Sequence, residues 1–367
     1  MARHNIKKYG EAPHKADRTL FVLTLILTFF GILAVADASA PLAVAYFNDS
    51  FYFAKQHLIW ACVGVIAMLV VSRIHYTFWQ KAAVPIFGLT LITLILVIIP
   101  GFGSKLLGAR RWINLGFFSF QPSELVKLTL SIYFASLAQV KKNLRSYIVI
   151  LVLVTGLMML QPDLGTTIII AGIGFLQIFI AGAPILSLIG IAGAGLLGGI
   201  VLILTSDYRR DRLVTFFESA TDPTGTSYHI SQVLIALGSG GIFGVGLGQS
   251  RQKYLFLPES ATDSVFAVIA EEIGFVGASV LIVLFLFFVY KGIKIARKAP
   301  DRFSQLLAAG IVCWIAIQAF LNISSMVALT PLTGVPMPFF SYGGSSLTMI
   351  LVGIGILLNI SRYEKPD

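Results

Sequence analysis

Long apolar runs separated by short polar stretches limit most strongly how this chain can fold. Residues 84–99 contain no charged side chain and only two threonines as polar residues. Similar runs recur along the 367 residues, of which only 12% are charged, whereas about 25% is usual for a soluble domain. The pattern is typical of helices that each cross a bilayer. We therefore expect an all-α polytopic membrane protein.

The apolar runs predict about ten transmembrane helices. They lie near 20–38, 57–73, 82–99, 123–139, 147–160, 166–181, 185–205, 263–290, 304–328 and 346–361. The fourth and fifth are short for a bilayer and are expected to continue into flanking loops or to be shielded by neighbours. We expect residues 1–367 to form a single membrane domain, with a cytoplasmic basic tail at 1–19 and a large extracellular loop at 206–262, between the seventh and eighth helices.

The distribution of basic residues predicts the orientation. The loops on the side of the two termini carry roughly twice as many Lys and Arg residues as the opposite loops, which places both termini in the cytoplasm by the positive-inside rule. The same rule accounts for the formal net charge of +10, so we expect no nucleic-acid partner. The segment ending in Ala36-Asp37-Ala38 resembles a cleaved signal peptide, but its apolar run is longer than usual, which favours a retained helix.

External basic residues concentrate in 101–122 and 206–262, so chemistry is expected on the outer face. Arg110 and Arg111 offer two adjacent guanidinium groups, which bind phosphate in a bidentate fork. Trp112 follows them and is equally well explained as an interfacial anchor. The two arginines also suit contacts with lipid headgroups.

Acidic residues at predicted helix starts are the candidates for proton transfer and pairing. Asp263 follows Glu259 and precedes an apolar run, which suits either a helix cap or a general base. Capping lowers the pKa of such a carboxyl and partial burial raises it, so both roles stay open. Glu124 and Lys127 share one helix face and can pair; a membrane lysine marks either a functional site or a structural ion pair. Asp163 is a third acid at the membrane edge.

Serines and glycines surround the start of the last helix. Ser341 and Ser345 lie beside a glycine pair, and hydroxyl and backbone N–H groups at a helix N-terminus can hold a phosphate. The glycine cluster at 238–248 suits either a packed turn or a backbone that approaches a bulky ligand.

Together and in this order, these segments resemble the SEDS family (shape, elongation, division and sporulation) of peptidoglycan glycosyltransferases. The residues at 246–253, Gly-Leu-Gly-Gln-Ser-Arg-Gln-Lys, are similar to the division and sporulation branch, which is FtsW-like rather than RodA-like. The segments that carry the resemblance are 108–116, 121–127, 161–165, 228–248, 257–263, 271–274 and 341–346.

The resemblance implies an enzyme that polymerises lipid II by inverting transfer at the outer face of the bacterial cytoplasmic membrane during cell division. Asp263 matches the proposed catalytic acid of the family, although Ser264 stands where the family often has Phe. The residues expected to bind substrate are Arg110, Arg111, Gln121, Glu124, Lys127, Asp163, Glu259, Ser341 and Ser345.

A divalent cation, Mg²⁺ or Mn²⁺, is the expected cofactor, held by carboxylates and the pyrophosphate rather than by a dedicated protein cage. The expected partners are a cognate class B penicillin-binding protein and other divisome membrane proteins, because this chain is expected to carry no transpeptidase of its own. Two alternatives remain open, namely a flippase for the same lipid and a non-catalytic scaffold of the division machinery.

Overall fold

The computed structural model describes residues 14–106, 109–114, 116, 119–140, 143–205, 210 and 227–365. The helices before the long loop are α1 (Arg18–Phe47), α2 (Tyr52–Val71), α3 (Thr77–Ile98), α4 (Pro122–Val140), α5 (Leu144–Leu160), α6 (Leu164–Ile180) and α7 (Ile185–Leu204). Those in and after it are α8 (Tyr228–Gly240), α9 (Val265–Lys298), α10 (Arg302–Met326) and α11 (Gly344–Ser361). Three short strands, β1 (Gly103–Leu106), β2 (Ala109–Asn114) and β3 (Ser119–Phe120), lie between α3 and α4.

The expectation of a polytopic all-α membrane protein is confirmed. Within the described residues, six helices (α1, α2, α3, α9, α10 and α11) are long and apolar enough to span a bilayer, and α5, α6 and most of α7 are shorter apolar helices. With α4, which contains the predicted Glu124–Lys127 pair, they correspond to the ten expected segments. The largest difference in bounds is at α1, which continues to Phe47 through Pro41 instead of ending near 38.

Helices α10 and α11 form the centre of the bundle. In their most apolar stretches 67% and 72% of the residues are buried, against 28–39% in α1, α2, α3 and α9. Small residues allow this close packing. A Cβ atom on Gly355 of α11 would lie 2.7 Å from the carbonyl oxygen of Met68 on α2.

Helix α9 is broken at Gly274, whose φ of 68° and ψ of −172° are not helical. The backbone groups released by the break bond to the segment that follows α8. Phe275 N–H donates to the Gly241 carbonyl at 2.9 Å, and Gly246 N–H donates to the Glu272 carbonyl at 3.0 Å. Non-helical backbone at membrane depth requires such internal partners. The first turns of α9 (265–273) are therefore a separate segment, fixed from the side by 241–246.

The three strands form an antiparallel sheet in the order β1-β2-β3, with Ser104 opposite Trp112 and Ile113 opposite Phe120. The sheet occupies the predicted external segment 101–122, where no strand was expected from the sequence. Part of the expected loop at 206–262, and residues 1–13 of the basic tail, lie outside the described residues. The described part of the loop contains α8, which was not predicted either. The assignment of a single domain stays a prediction.

The first and last described residues, His14 and Lys365, lie on the same side of the molecule. His14 N–H donates to the Arg362 carbonyl at 2.9 Å, and Lys365 N–H donates to the Lys298 carbonyl at the end of α9, also at 2.9 Å. Asp263 lies on the face opposite the termini. Its carbonyl accepts a hydrogen bond from Asn322 near the end of α10 (Arg302–Met326), a helix that begins on the terminal side just after α9 ends. The assignment of the terminal face to the cytoplasm stays a prediction.

Candidate active site

Asp263 lies in the turn before α9, and its side chain is half-buried. The N-cap of α9 is Ser264, which makes no side-chain capping bond to the helix. The N-cap position of α9 is thus held by Ser264 and not by Asp263. The Asp263 backbone is held instead by Asn322 on α10, whose Nδ2 donates to the Asp263 carbonyl at 2.7 Å.

The turn itself is organised by Glu259. Its backbone has a positive φ of 51°, and its carbonyl accepts the N–H groups of Thr262 at 3.1 Å and Ser264 at 3.0 Å. Its exposed carboxylate accepts the Thr262 hydroxyl at 2.6 Å. Glu259 therefore shapes the backbone that presents Asp263.

The segment before α11 packs directly on this turn. The Ser341 hydroxyl donates to the Thr262 carbonyl and accepts Met337 N–H at 2.7 Å. Tyr342 N–H donates to the Ala261 carbonyl at 2.8 Å. The hydroxyl proton of Ser341, predicted to face a substrate phosphate, is used inside the protein.

Two amide side chains on α10 join these segments, and sequence reasoning did not single them out. Asn322 Nδ2 also donates to the Val335 carbonyl at 2.8 Å. Gln318, one turn earlier, donates from Nε2 to the Pro336 carbonyl at 3.0 Å. Both amides are essentially buried. The available signal was the presence of Gln and Asn four residues apart in an otherwise apolar helix.

The Glu124–Lys127 pair lies behind this segment. Lys127 Nζ is 2.7 Å from Glu124 Oε1, with the two side chains 1% and 2% exposed. The same ammonium group donates to Gln318 Oε1 at 2.8 Å and lies 5.2 Å from the ring centroid of Trp314. The predicted pairing is confirmed. The charge of Lys127 is thus neutralised, and the pair is connected through Gln318 to the 335–336 segment.

The two arginines of β2 have different surroundings. Arg111 Nε donates to the Gln161 carbonyl at 3.0 Å, and its Nη2 donates to the Pro162 carbonyl. Arg111 therefore fixes the turn between α5 and α6. Neighbouring side chains in a strand point to opposite faces, and within the described ranges the half-buried guanidinium of Arg110 has no hydrogen bond or ion pair.

The remaining predicted residues connect elements. Asp163 is the N-cap of α6, accepting Thr166 N–H at 3.0 Å and the Thr166 hydroxyl at 2.9 Å. The Ser345 hydroxyl donates to the Ser119 carbonyl at 3.3 Å and accepts Gln121 N–H at 3.4 Å. These contacts bring the start of α11 against β3 and the start of α4.

A second charged cluster lies at the break in α9. Lys253 Nζ is 2.6 Å from Asp37 Oδ1 and 2.8 Å from Glu272 Oε1. Burial alone would lower the pKa of Lys253, but the two carboxylates hold it above its usual value. Glu271 accepts Arg251 N–H at 3.1 Å and the Ser250 hydroxyl. The carboxylates of Glu271 and Glu272 thus fix the loop at 250–253.

Ser250 and Lys253 have the Ser-x-x-Lys spacing of transpeptidase nucleophiles, although this chain is expected to carry no transpeptidase. Their partners argue against that chemistry. The Ser250 hydroxyl donates to Glu271, and the ammonium of Lys253 is bonded to two carboxylates. Ser250 is fully buried. The match in spacing therefore reflects a structural cluster.

Two further features complete the site region. An apolar groove of about 520 Å³ lies between α1 and α9, with Asp37 and Glu272 at one end and residues such as Phe30 and Leu284 along it. Among the residues that the structure describes, no group of three or more His, Cys, Asp and Glu side chains is arranged to hold a metal ion.

Comparisons with known proteins place this architecture in a family. The profile of the family described as "Cell cycle protein", which comprises FtsW, RodA and SpoVE, matches residues 17–366. Stage V sporulation protein E of Bacillus subtilis is 42% identical over 95% of this chain and 98% of its own length. A probable peptidoglycan glycosyltransferase FtsW of Trichlorobacter lovleyi is 40% identical over 95% of this chain and 94% of its own.

Two solved structures have a fold similar to that of this chain. A chain of a peptidoglycan synthase complex that coordinates polymerisation and crosslinking has a TM-score of 0.78 and 26% identity, over 95% of this chain and 98% of that one. The rod shape determining protein RodA of Thermus thermophilus has a TM-score of 0.70 and 26% identity, over 96% and 98%. The higher identity to the FtsW and SpoVE proteins confirms the predicted division and sporulation type. The chain belongs to the FtsW/RodA/SpoVE family of cell cycle proteins.

Proposed function

We propose that this chain is an inverting peptidoglycan glycosyltransferase that joins lipid II units into glycan strands at the outer face of the cytoplasmic membrane during cell division. The observation that carries the proposal is similarity over nearly the whole chain to proteins named peptidoglycan glycosyltransferase FtsW. The half-buried Asp263, on the face opposite the termini, supplies the reactive group that such a transfer needs.

In the proposed reaction the 4-hydroxyl of the acceptor GlcNAc attacks the anomeric carbon of the donor MurNAc. The new C–O bond forms as the bond to the pyrophosphate breaks, and undecaprenyl pyrophosphate leaves with the electron pair. Asp263 accepts the hydroxyl proton, which is worth about 10²–10⁴-fold in rate. The α-linked donor becomes a β-linked product in one displacement, so no covalent enzyme intermediate is needed.

The arrangement around Asp263 supports this role. Its backbone is anchored by the buried amide of Asn322, and the preceding turn is fixed by Glu259 and by the docked 337–342 segment. A base held by packed secondary structure keeps its geometry through the reaction. We assign Asn322, Glu259 and Ser341 as positioning residues.

Of the three basic residues expected to bind substrate (Arg110, Arg111 and Lys127), Arg110 is the one best suited to the leaving pyrophosphate. A preorganised positive charge stabilises the charge that develops on a leaving group. Arg111 is committed to the Gln161 and Pro162 carbonyls, and Lys127 is committed to Glu124 and Gln318. We assign both as positioning residues, together with Glu124, Gln121, Asp163 and Ser345.

Among the described residues, no cluster of His, Cys, Asp and Glu would hold a resident metal. A divalent cation would therefore take ligands from the substrate here. We propose that Mg²⁺ or Mn²⁺ enters as the counter-ion of the pyrophosphate, whose oxygens are its preferred ligands. Activity should then depend on the ratio of metal to lipid II rather than saturate at one metal per protein.

The proposed partner is a class B penicillin-binding protein, because a linear glycan requires a separate transpeptidase and a related chain occurs in a synthase complex that couples polymerisation with crosslinking. Other membrane proteins of the division machinery are proposed neighbours. The positive-inside rule supports cytoplasmic termini and an outward-facing site.

The experiment that tests this function uses the full-length chain in detergent with lipid II and Mg²⁺, with and without the class B partner. Glycan ladders on a gel are the expected product of the wild type, and Asp263→Asn should make far less of them. The matched control for Asp263→Asn is Asp49→Asn, at an exposed carboxyl that pairs with Lys55 at 2.7 Å, away from the described site contacts. Movement of labelled lipid II across vesicles without ladders would favour the flippase, and ladders made only by the partner would favour the scaffold.

A further inference from the structure

A second groove lies on the side of the molecule that carries both termini. Helix α4 forms its floor through Tyr133, Ser136 and Leu137, and α3 and α5 form its walls. Its volume is about 500 Å³. The groove opens where α4 ends and α5 begins, near Asn143, so it is remote from Asp263 at the opposite end of the bundle.

The polar groups of this groove are mainly hydrogen-bond donors that lack acceptors. Arg145 is exposed at its rim, and Ser136 and Ser146 line it. Within the described residues, the guanidinium and both hydroxyls have no hydrogen bond or ion pair. Among the lining residues that the structure describes, none carries a carboxylate. Asn143 accepts Arg145 N–H at 3.1 Å, which leaves its own amide N–H₂ free to donate.

These groups suit an anion with an apolar tail. A guanidinium group and serine hydroxyls bind phosphate oxygens, and the start of the 17-residue helix α5 adds the positive end of its dipole. Below the rim the lining is apolar, with Leu137, Val149 and Ile150. By contrast, the groove between α1 and α9 has two carboxylates at one end, which outnumber the single ammonium of Lys253 that pairs with them and would disfavour a phosphate.

We propose that the groove between α3, α4 and α5 is a binding site for an anionic glycerophospholipid of the leaflet on the terminal side. Arg145 contacts the phosphate, Ser136 and Ser146 donate to its oxygens, and one acyl chain lies along Val149 and Ile150. Basic pockets between transmembrane helices recognise anionic headgroups in this way. The proposal is independent of the reaction at Asp263.

The test measures lipid retention by native mass spectrometry of the full chain, titrated in detergent with phosphatidylglycerol or with phosphatidylcholine. One basic contact near a membrane surface corresponds to a preference of about fivefold for the anionic lipid. We expect this preference in the wild type and its loss in Arg145→Glu. Arg297→Glu makes the same charge change at an exposed position near the end of α9 and should keep it.

A pair of neutral variants tests the groove without changing charge. Val149→Trp fills the groove and should reduce phosphatidylglycerol binding, whereas Val152→Trp, one turn further along α5 and 64% exposed, should not. Equal binding of the two lipids by the wild type would overturn the proposal. So would equal effects of Arg145→Glu and Arg297→Glu, or unchanged binding in Val149→Trp.

Discussion

Replacement of Lys127 by Met tests the buried ion pair on which the site rests. Glu124 and Lys127 are 2% and 1% exposed, and their charged atoms are 2.7 Å apart. Without the ammonium group, the Glu124 carboxylate is left buried, and its Oε2 already has no hydrogen-bond partner among the described residues. Breaking a buried pair from one side costs about 3–5 kcal/mol.

A loss of this size should lower the melting temperature measured in detergent by several degrees. Adding Glu124→Met should restore most of the loss, because an apolar pair of similar volume is often neutral or stabilising. In that double variant the Gln318 oxygen still accepts the Trp314 indole N–H at 2.8 Å.

The assay is thermal unfolding in detergent, followed by intrinsic fluorescence at one scan rate. Lys81→Met, at an exposed lysine on α3, is the matched control and should leave the midpoint unchanged. The reasoning is refuted if Lys127→Met melts with the wild type, or if the double variant is as unstable as the single one.

Three further predictions concern other parts of the fold. Gly274→Ala should prevent folded protein from accumulating, because φ at this position is positive and a Cβ there would lie 2.2 Å from the Gly244 nitrogen. Size-exclusion chromatography measures the folded yield. A normal monodisperse yield would contradict the account of the broken helix. Arg111→Lys should destabilise the fold by about 1–2 kcal/mol, because its hydrogen bonds to two carbonyls are lost. Arg110→Lys should not change the melting temperature. Arg110→Ala should raise the KM for lipid II. Burial alone would raise the pKa of Asp17, but hydrogen bonds from Lys291 and from Leu20 N–H hold that pKa below its usual value. The ionised Asp17 therefore stabilises the fold above about pH 4, and this stabilisation is lost as the pH falls further. Asp17→Asn should therefore flatten the dependence of the melting temperature on pH between about pH 5 and 3, and an unchanged slope would remove this role.

The spans could be predicted because a bilayer imposes one simple requirement, a long apolar run, on every crossing helix. The pairing of Glu124 with Lys127 was predictable for a similar reason, since both lie on one face of one helix. Features that depend only on the spacing of residues within one helix can therefore be predicted from the sequence.

Contacts between distant segments could not be predicted. The sequence does not distinguish Arg110 from Arg111, and only the strand places one on the turn after α5. Asp37 and Lys253 form an ion pair although they are 216 residues apart in the sequence. Asn322 and Asp263 are hydrogen-bonded although they are 59 residues apart. The sheet at 103–120 was missed because its strands are short and partly exposed.

The most direct test of the central claim is the single-turnover rate of glycan bond formation from labelled lipid II, measured for wild type and Asp263→Asn at matched lipid II occupancy. Our account predicts a loss of about 10²–10⁴-fold in rate, with unchanged lipid II affinity and an unchanged melting temperature. An Asp263→Asn variant that forms glycan at the wild-type rate would contradict the assignment of Asp263 as the base.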